Sequence, residues 1–92
     1  MEIHLRFFGT VRRSVGAKTA AREMPSDATV RDLLAALEAD HSGLAGDLLD
    51  GGDVASGVTV LLDGTNVANR SGAATPLTDG ATVAVTPPLT GG

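Results

Sequence analysis

The first residues of the chain alternate between polar and apolar side chains. The apolar set is Ile3, Leu5 and Phe7, and the polar set is Glu2, His4 and Arg6. A period of two is typical of a strand with one buried face. Phe8 breaks the pattern. Continued alternation would turn its ring towards solvent, where an aromatic side chain can anchor a partner, whereas a twist or bulge would bury it, and the pattern allows both.

The segment after Phe8 predicts a connection followed by a second strand. Residues 11–18, VRRSVGAK, include Gly16 and are typical of a loop or a single helical turn. Residues 19–24, TAAREM, are a weaker strand pattern that Pro25 brings to an end. We therefore expect the first two strands to form a hairpin with a long connection.

A helical period follows in residues 27–41, DATVRDLLAALEADH. Apolar residues recur with the i, i+3, i+4, i+7 spacing of one helix face at Val30, Leu33, Leu34 and Leu37. Thr29 is expected to be the N-cap, and Asp32 is placed to close a capping box and to put negative charge at the positive end of the helix. Gly43 is expected to end the helix.

The next part of the chain predicts a short helix and a hairpin. Residues 44–50, LAGDLLD, are a second helical piece, and residues 51–57, GGDVASG, are typical of a surface loop. Residues 58–67, VTVLLDGTNV, have β-branched residues on both sides of Asp63 and Gly64. This pair is typical of a tight hairpin turn, so we expect a strand on each side of it.

The last strand completes the expected fold. Residues 81–86, ATVAVT, alternate and are followed by Pro87 and Pro88, which cannot continue a ladder of backbone hydrogen bonds. The full order is β-β-α-(short α)-β-β-β. It predicts an α+β protein of the ubiquitin-like β-grasp type, a mixed sheet of about five strands with one main helix across one face. Residues 1–88 would form this domain and residues 89–92 a projecting tail.

Composition limits the chemistry available to the chain. Its 92 residues are expected to bury one core. The sequence contains no Cys, Trp or Tyr, which excludes disulfides, a thiolate nucleophile and a cysteine-bound metal. No apolar run reaches the roughly 18 residues of a membrane span, and the first residues lack the pattern of a signal peptide, so we expect a cytoplasmic protein.

The charge balance argues against nucleic acid and anionic membranes as main partners. Acidic residues outnumber basic ones 11 to 7, and the formal net charge is −4. Arg12, Arg13 and Lys18 nevertheless cluster around the first connection, where they either steer a partner electrostatically or form a solvated loop. Lys18 is the only lysine in the sequence.

Residues suited to catalysis are sparse, so we do not expect an enzyme. The only histidines, His4 and His41, lie far apart in sequence and outside any HExxH motif, so no metal site is expected. The serines occur without a G-x-S-x-G motif, and the acidic residues are typical of a solvated surface.

The last seven residues, TPPLTGG, predict either a frayed end or a reactive terminus. Pro87 and Pro88 have a fixed φ and no backbone donor, so they keep the chain extended and direct it away from the sheet. The four residues after Pro88 span at most about 14 Å. Gly91 and Gly92 lack a Cβ atom, so they can enter a narrow channel and offer an unhindered terminal carbonyl to a nucleophile.

Three segments resemble one family of small proteins: residues 7–20, FFGTVRRSVGAKTA, the helix that follows, and residues 76–92, PLTDGATVAVTPPLTGG. The family comprises the small subunit of molybdopterin synthase, its sulfur-carrier relatives and the small archaeal ubiquitin-like modifiers. The ending Pro-Pro-x-[Ser/Thr/Ala]-Gly-Gly is the most specific part of the resemblance. The chain departs from the family at Thr86, where an aromatic residue is often found, so Phe8 and Leu89 would supply more of the partner contact.

The resemblance implies chemistry at the carboxylate of Gly92. An E1-like enzyme would use ATP and Mg²⁺ to adenylate this group, and the chain itself would bind no cofactor. The resemblance assigns further residues to the tail and to partner binding: Leu89, Thr90 and Gly91 in the tail, and Phe8, Pro87 and Pro88 at the partner interface.

Two fates of the activated terminus follow from the resemblance. A terminal thiocarboxylate would supply sulfur for molybdopterin or for tRNA thiolation, or the terminus would form an isopeptide bond with target lysines, with Lys18 as a possible acceptor. Two alternatives stay open. The chain would be a dedicated small subunit that binds the large subunit of molybdopterin synthase, or a β-grasp binding module that never reacts.

Overall fold

The computed structural model describes residues 1–88, which form seven strands and two α-helices. The strands are β1 (Glu2–Phe7), β2 (Thr19–Glu23), β3 (Leu49–Asp50), β4 (Asp53–Val54), β5 (Thr59–Leu62), β6 (Thr65–Asn66) and β7 (Thr82–Thr86). The helices are α1 (Gly9–Val15) and α2 (Val30–Asp40), and short 3₁₀ helices occupy Ser42–Leu44, Val67–Asn69 and Gly72–Ala74.

Five of the strands form a mixed sheet in the spatial order β2-β1-β7-β5-β6. β1 and β7 pair in parallel, with Leu5 opposite Val83, and the other neighbours pair antiparallel. A parallel pair needs a long crossover connection, and α2 lies within that crossover. The predicted α+β fold of the ubiquitin-like β-grasp type is confirmed.

The core lies between the inner face of the sheet and α2. The alternating residues of the three central strands are buried: Ile3, Leu5, Phe7, Val60, Leu62, Val83 and Val85. The apolar stripe of α2 packs in the same core, with Val30, Leu33, Leu34 and Leu37 at most 2% exposed. Burying each such side chain stabilises the fold by roughly 1.5–3 kcal/mol.

The start of α2 is as predicted, but its end is not. The backbone N–H of Thr29 donates to the Asp32 carboxylate at 2.9 Å, and the Asp32 N–H donates to the Thr29 hydroxyl at 3.5 Å, which completes the capping box. The helix ends at Asp40, and His41 is its C-cap with an extended φ of −129°. The prediction that Gly43 ends the helix is therefore wrong. A left-handed residue is not needed there, because the chain turns directly into the 3₁₀ helix Ser42–Leu44.

The first connection is more helical than predicted. Instead of a loop or a single turn, it contains α1, seven residues long and ended by Gly16 at φ +82°. The N–H of Gly16 donates to the carbonyl of Arg12 at 2.8 Å. Val11 is buried and Val15 packs against the core, and this i, i+4 apolar pair gives the short helix a reason to form.

Residues 44–57 differ from the predicted helix and loop. The 3₁₀ helix Ser42–Leu44 is followed by a two-stranded ribbon of β3 and β4. Contacts with distant residues hold this ribbon. The Glu38 carboxylate accepts the N–H groups of Leu48 at 2.8 Å and Leu49 at 3.1 Å, and the Asp53 carboxylate accepts the N–H of Ala73 at 3.1 Å.

The predicted hairpin turn at Asp63 and Gly64 is confirmed. It joins β5 to β6, and both residues have positive φ, +48° and +85°, as a type I′ turn requires. The Asp63 carboxylate also accepts the N–H of Thr82 at 2.9 Å, which ties the turn to the start of β7. None of the helices within residues 1–88 has the length and apolar character needed to cross a membrane.

Candidate functional site

Three chain segments meet where β7 ends. β1 and β7 are parallel, so both end at the same edge of the sheet, and β5 begins there because it is antiparallel to β7. The residues at this point are Phe8, Gly9, Gly57, Val58, Pro87 and Pro88, which we call the exit edge. β7 ends at Thr86, and Pro87 and Pro88 carry the chain out of the central strand of the sheet.

Two glycines border the path of the prolines. A Cβ atom added to Gly9 would lie 2.8 Å from Cγ of Pro87, and one added to Gly57 would lie 3.0 Å from Cβ of Pro88. Both glycines also have positive φ, +55° and +83°, which L side chains rarely adopt. At each position a side chain would therefore both strain the backbone and crowd a proline, so the chain leaves the sheet close against residues 9 and 57.

Phe8 is half-buried on the outer face of the sheet. This is intermediate between the exposed ring and the buried ring that the sequence left open. The guanidinium carbons of Arg6 and Arg12 each lie 5.6 Å from the centre of its ring. Two cations in this position interact favourably with the aromatic face. The N–H of Phe8 donates to the carbonyl of Val85 at 3.2 Å, so the residue stays registered with β7 before α1 begins.

Arg12 links this aromatic residue to the strand. Its Nε donates to the carbonyl of Phe7 at 3.0 Å while its guanidinium lies beside the Phe8 ring. Two contacts of one side chain restrict its rotamers, so the Arg12 guanidinium is held at the exit edge. The sequence pattern placed Arg12 in the cationic cluster but did not predict its contact with Phe8, because that contact depends on α1 being a helix.

The outer face of the sheet beside Phe8 consists of residues from β7 and β5. The register places Arg6, Ala84 and Leu61 in one row across β1, β7 and β5, and Thr86 opposite Thr59 in the next row. Ala84, Leu61, Thr59 and Thr86 are all partly exposed. Leu61 was not identified from the sequence as a residue of this face. The alternation of β5 would have indicated it, because its neighbours Val60 and Leu62 are buried on the opposite face. The outer face here presents Ala84, Leu61 and two threonines beside Arg6 and Phe8. We call Arg6, Phe8, Arg12, Leu61 and Ala84 the partner face.

The cations predicted to cluster lie at the same end of the molecule. Arg13 is exposed on α1, and Lys18 is exposed in the turn before β2, with its carbonyl accepting the N–H of Phe7 at 2.9 Å. Within residues 1–88, neither these two residues nor Arg6 and Arg12 form an ion pair, whereas Arg22 pairs with Asp40. Positive charge is therefore available next to the exit edge of an otherwise acidic chain.

A groove of about 290 Å³ runs beside the exit edge on the helical side of the sheet. Val11 and Ser14 of α1, Leu44 and Leu48, and the two prolines are among the residues that line it. Pro87 and Pro88, the last residues that the structure describes, therefore line this groove.

The histidines lie apart from the exit edge. His4 contacts the Glu2 carboxylate at 3.3 Å, and His41 caps α2. Within residues 1–88, no three metal-ligating side chains come together. The tail residues predicted to react or to present the terminus, Leu89, Thr90, Gly91 and Gly92, lie outside the described residues.

A five-stranded mixed sheet with β7 at its centre and one main helix across one face defines the class of ubiquitin-like β-grasp proteins. The sequence gives a finer assignment within that class. Residues 5–92 match the ThiS family, and the chain belongs to this family.

Relatives of known name support the assignment. Small archaeal modifier protein 3 of Haloferax volcanii is 48% identical over 92 residues, which cover 100% of both chains. The solution structure of the Haloferax volcanii HVO 2177 protein matches with a TM-score of 0.93 at 48% identity, over 100% of this chain and 87% of that one. The crystal structure of SAMP1 from Haloferax volcanii matches with a TM-score of 0.83 at 26% identity over 100% of both chains. The resemblance found in the sequence is confirmed, and the chain is a homologue of the small archaeal modifier proteins.

Proposed function

We propose that this chain is a ubiquitin-like modifier and sulfur carrier whose Gly92 carboxylate is activated by an E1-like enzyme. The main support is the exit of Pro87 and Pro88 from the central strand, against the backbones of Gly9 and Gly57. The four residues after Pro88 end in Gly-Gly and reach at most about 14 Å, so the folded body stays outside the cleft that receives them.

The chemistry requires activation, because a carboxylate oxygen is a poor leaving group. The Gly92 carboxylate attacks the α-phosphorus of ATP, pyrophosphate leaves, and an acyl-adenylate forms; Mg²⁺ on the enzyme neutralises the phosphate charge. Sulfide (HS⁻) then attacks the acyl carbon, the bond to the phosphate oxygen breaks, AMP leaves with the electron pair, and loss of a proton gives the thiocarboxylate. Alternatively, a neutral lysine amine attacks the same carbon, AMP leaves, and loss of a proton gives an isopeptide bond. The chain is the carried group and the substrate in these steps, not the catalyst.

The partner face is the surface that we assign to the activating enzyme. Phe8 offers an aromatic contact that two arginines keep in place, and aromatic and arginine side chains are the residues most enriched at energetically important interface positions. Thr86 stands where related chains often have an aromatic residue, so we expect a smaller apolar contact beside the exit and weaker binding to the large subunit of molybdopterin synthase. The name of the relative with 48% identity favours conjugation to protein lysines over a role confined to molybdopterin synthesis.

The test uses the full chain, an archaeal E1-like enzyme, ATP and Mg²⁺. We expect pyrophosphate release that depends on the chain and, when sulfide is supplied, a mass increase equal to the exchange of one oxygen for sulfur. The matched variant lacks Gly91 and Gly92 and should lose both signals. Its melting temperature should equal that of the wild type, because the deleted residues follow the last described contact of the core.

Two results would contradict the proposal. Adenylation of the truncated chain at the wild-type rate would show that Gly92 is not the reacting residue. An unreactive wild type that still binds the enzyme through Phe8 would identify a β-grasp binding module instead.

A further inference from the structure

One edge of the main sheet is long and open. Within residues 1–88, β2 pairs only with β1, and its five residues form this edge. The opposite edge is β6, which has only two residues. A long exposed edge offers unpaired backbone donors and acceptors to another strand, and proteins usually shorten or cover such edges. β2 contains no proline, and its adjacent alanines, Ala20 and Ala21, leave room for the backbone of a second strand.

The hydrogen bonds to β1 determine which backbone groups of β2 point outwards. The N–H of Phe7 donates to the carbonyl of Lys18, and the N–H of Met24 donates to the carbonyl of Met1, both at 2.9 Å. Bonded and non-bonded pairs alternate in an antiparallel ladder, so the even-numbered residues of β2 bond to β1. The N–H and C=O groups of the odd-numbered residues therefore point away from the sheet. These residues are Thr19, Ala21 and Glu23.

The outward groups of β2 are complementary to those of a second β2 strand. When two copies pair antiparallel about a two-fold axis at Ala21, Thr19 of each copy lies opposite Glu23 of the other, and Ala21 lies opposite itself. Each of these pairs joins outward groups on both sides, so each can exchange two backbone hydrogen bonds. The pairing uses the whole length of β2 and leaves none of its outward groups unbonded.

The charges of β2 favour this register over its neighbours. With the axis at Ala21, Ala20 lies opposite Arg22 and Lys18 lies opposite Met24, so no like charges face each other. A slide of two residues in one direction puts Lys18 opposite Arg22, and a slide in the other direction puts Arg22 opposite Arg22. Like charges directly opposite each other destabilise a strand pair. A slide of one residue would set outward groups against groups that already bond to β1.

We propose that β2 is a self-association edge, through which two copies of this chain join their five-stranded sheets into one. The contact involves a single strand of each copy, so the dimer is weak and depends on concentration. Antiparallel pairing reverses every strand of the second copy, and the two exit edges therefore lie at opposite ends of the joined sheet. β2 contributes no residue to the partner face or to the exit edge, which stay open in both copies. The inference does not depend on the proposed function.

The first experiment compares Ala21→Pro with Ala21→Ser by sedimentation equilibrium over a series of concentrations. Proline removes the N–H at the two-fold axis, and an edge strand accepts proline where the N–H faces solvent. Serine keeps this donor at the same exposed position. The wild type and Ala21→Ser should approach twice the monomer mass as concentration rises, whereas Ala21→Pro should stay a folded monomer, with folding checked by circular dichroism.

Two results of this experiment would overturn the inference. One is association of folded Ala21→Pro as tight as that of Ala21→Ser. The other is a wild type that stays monomeric at every concentration, which would leave the edge to an extended segment of a different protein.

A second pair of variants tests the register, and it does so even if Ala21→Pro does not fold. Residue 19 lies opposite Arg6 within the chain and opposite Glu23 in the proposed dimer. Thr19→Lys should therefore lower the melting temperature but tighten the dimer, and Thr19→Glu should do the reverse. Each change in dimer affinity should be up to about fivefold, as expected for an exposed pair of charges. Dimer affinities that follow the melting temperatures, or that do not change, would overturn the inference.

Discussion

Pro87 lies against Gly9 so closely that a Cβ atom on residue 9 would come within 2.8 Å of the Pro87 Cγ. The contact joins the first turn of α1 to the point where the chain leaves β7. Because Gly9 also has a φ of +55°, its backbone conformation and its lack of a side chain both shape the exit edge.

Gly9→Ala should therefore damage stability and activation together. Left-handed strain costs of order 1–3 kcal/mol, and the clash with Pro87 adds to it and displaces the exit. The control is Gly51→Ala, at a similar φ of +61° but with no heavy atom within 4 Å of the added Cβ. We expect the control to lower the melting temperature alone, and Gly9→Ala also to slow adenylation, measured as pyrophosphate release. Equal adenylation rates would show that the Gly9–Pro87 contact does not direct the tail.

Phe8→Ala should weaken binding to the activating enzyme about tenfold or more, the effect expected of an interface residue worth about 1.4 kcal/mol or above. The folded chain should lose little stability, since Phe8 is only half-buried. Arg13→Ala is the control, because Arg13 is exposed on the same helix but does not stack on Phe8. Calorimetric titration with the enzyme gives both affinities. An unchanged affinity for Phe8→Ala would remove this residue from the interface.

Thr29→Ala should lower the free energy of unfolding by about 0.5–2 kcal/mol, the usual cost of losing an N-cap side chain. Thr29 and Asp32 bond reciprocally, so Asp32→Ala should cost a similar amount and the double variant less than the sum. Ser26→Ala changes an exposed residue of the preceding turn and should be neutral. Urea unfolding compares these four variants with the wild type, and full additivity would mean that the two residues act independently.

Asp53 should make stability depend on acid pH. The N–H groups of Val54 and Ala73, and more weakly the charge of Arg31, hold the pKa of its carboxyl below the usual value. A folded pKa below the unfolded value contributes stability above the unfolded value, and this stability is lost as pH falls through the folded value.

In Asp53→Asn, the difference in unfolding free energy between neutral and acid pH should accordingly be smaller than in the wild type. Asp27→Asn removes one carboxyl from an exposed turn and controls for the change in net charge. An identical pH dependence in wild type and Asp53→Asn would show that the hydrogen bonds to Ala73 and Val54 do not depend on ionisation.

The parts of the fold that were predictable from sequence are those encoded by neighbouring residues. The apolar stripe of α2, its Thr29–Asp32 cap and the turn at Asp63 need only a few consecutive positions. The predictions were wrong where contacts with distant residues determine the local structure. Glu38 and Asp53 organise the segment that had been expected to be a short helix and a loop, and no local pattern reveals those bonds.

The candidate site was also only partly predictable. The sequence shows that Pro87 and Pro88 end the last strand, because proline has no backbone donor. It does not show that Gly9 and Gly57 lie against them, because these residues are far apart in the sequence. The position of Phe8 was undecided in the sequence because the alternation ends there, and its contact with Arg12 requires α1 to be helical. The chemistry attributed to Gly92 still stands as a prediction.

The central place of β7 has a consequence for biosynthesis. A chain made from its N-terminus has β1 and β5 long before β7, and both strands then expose unpaired edges, because their shared partner is the last strand in the sequence. Pairing of His4 with Thr82 closes nearly the whole length of the chain, a topology associated with slow folding. The sheet is therefore completed only after residues 82–86 have left the ribosome, and a prematurely ended chain would be an aggregation-prone fragment rather than a competitor for the activating enzyme.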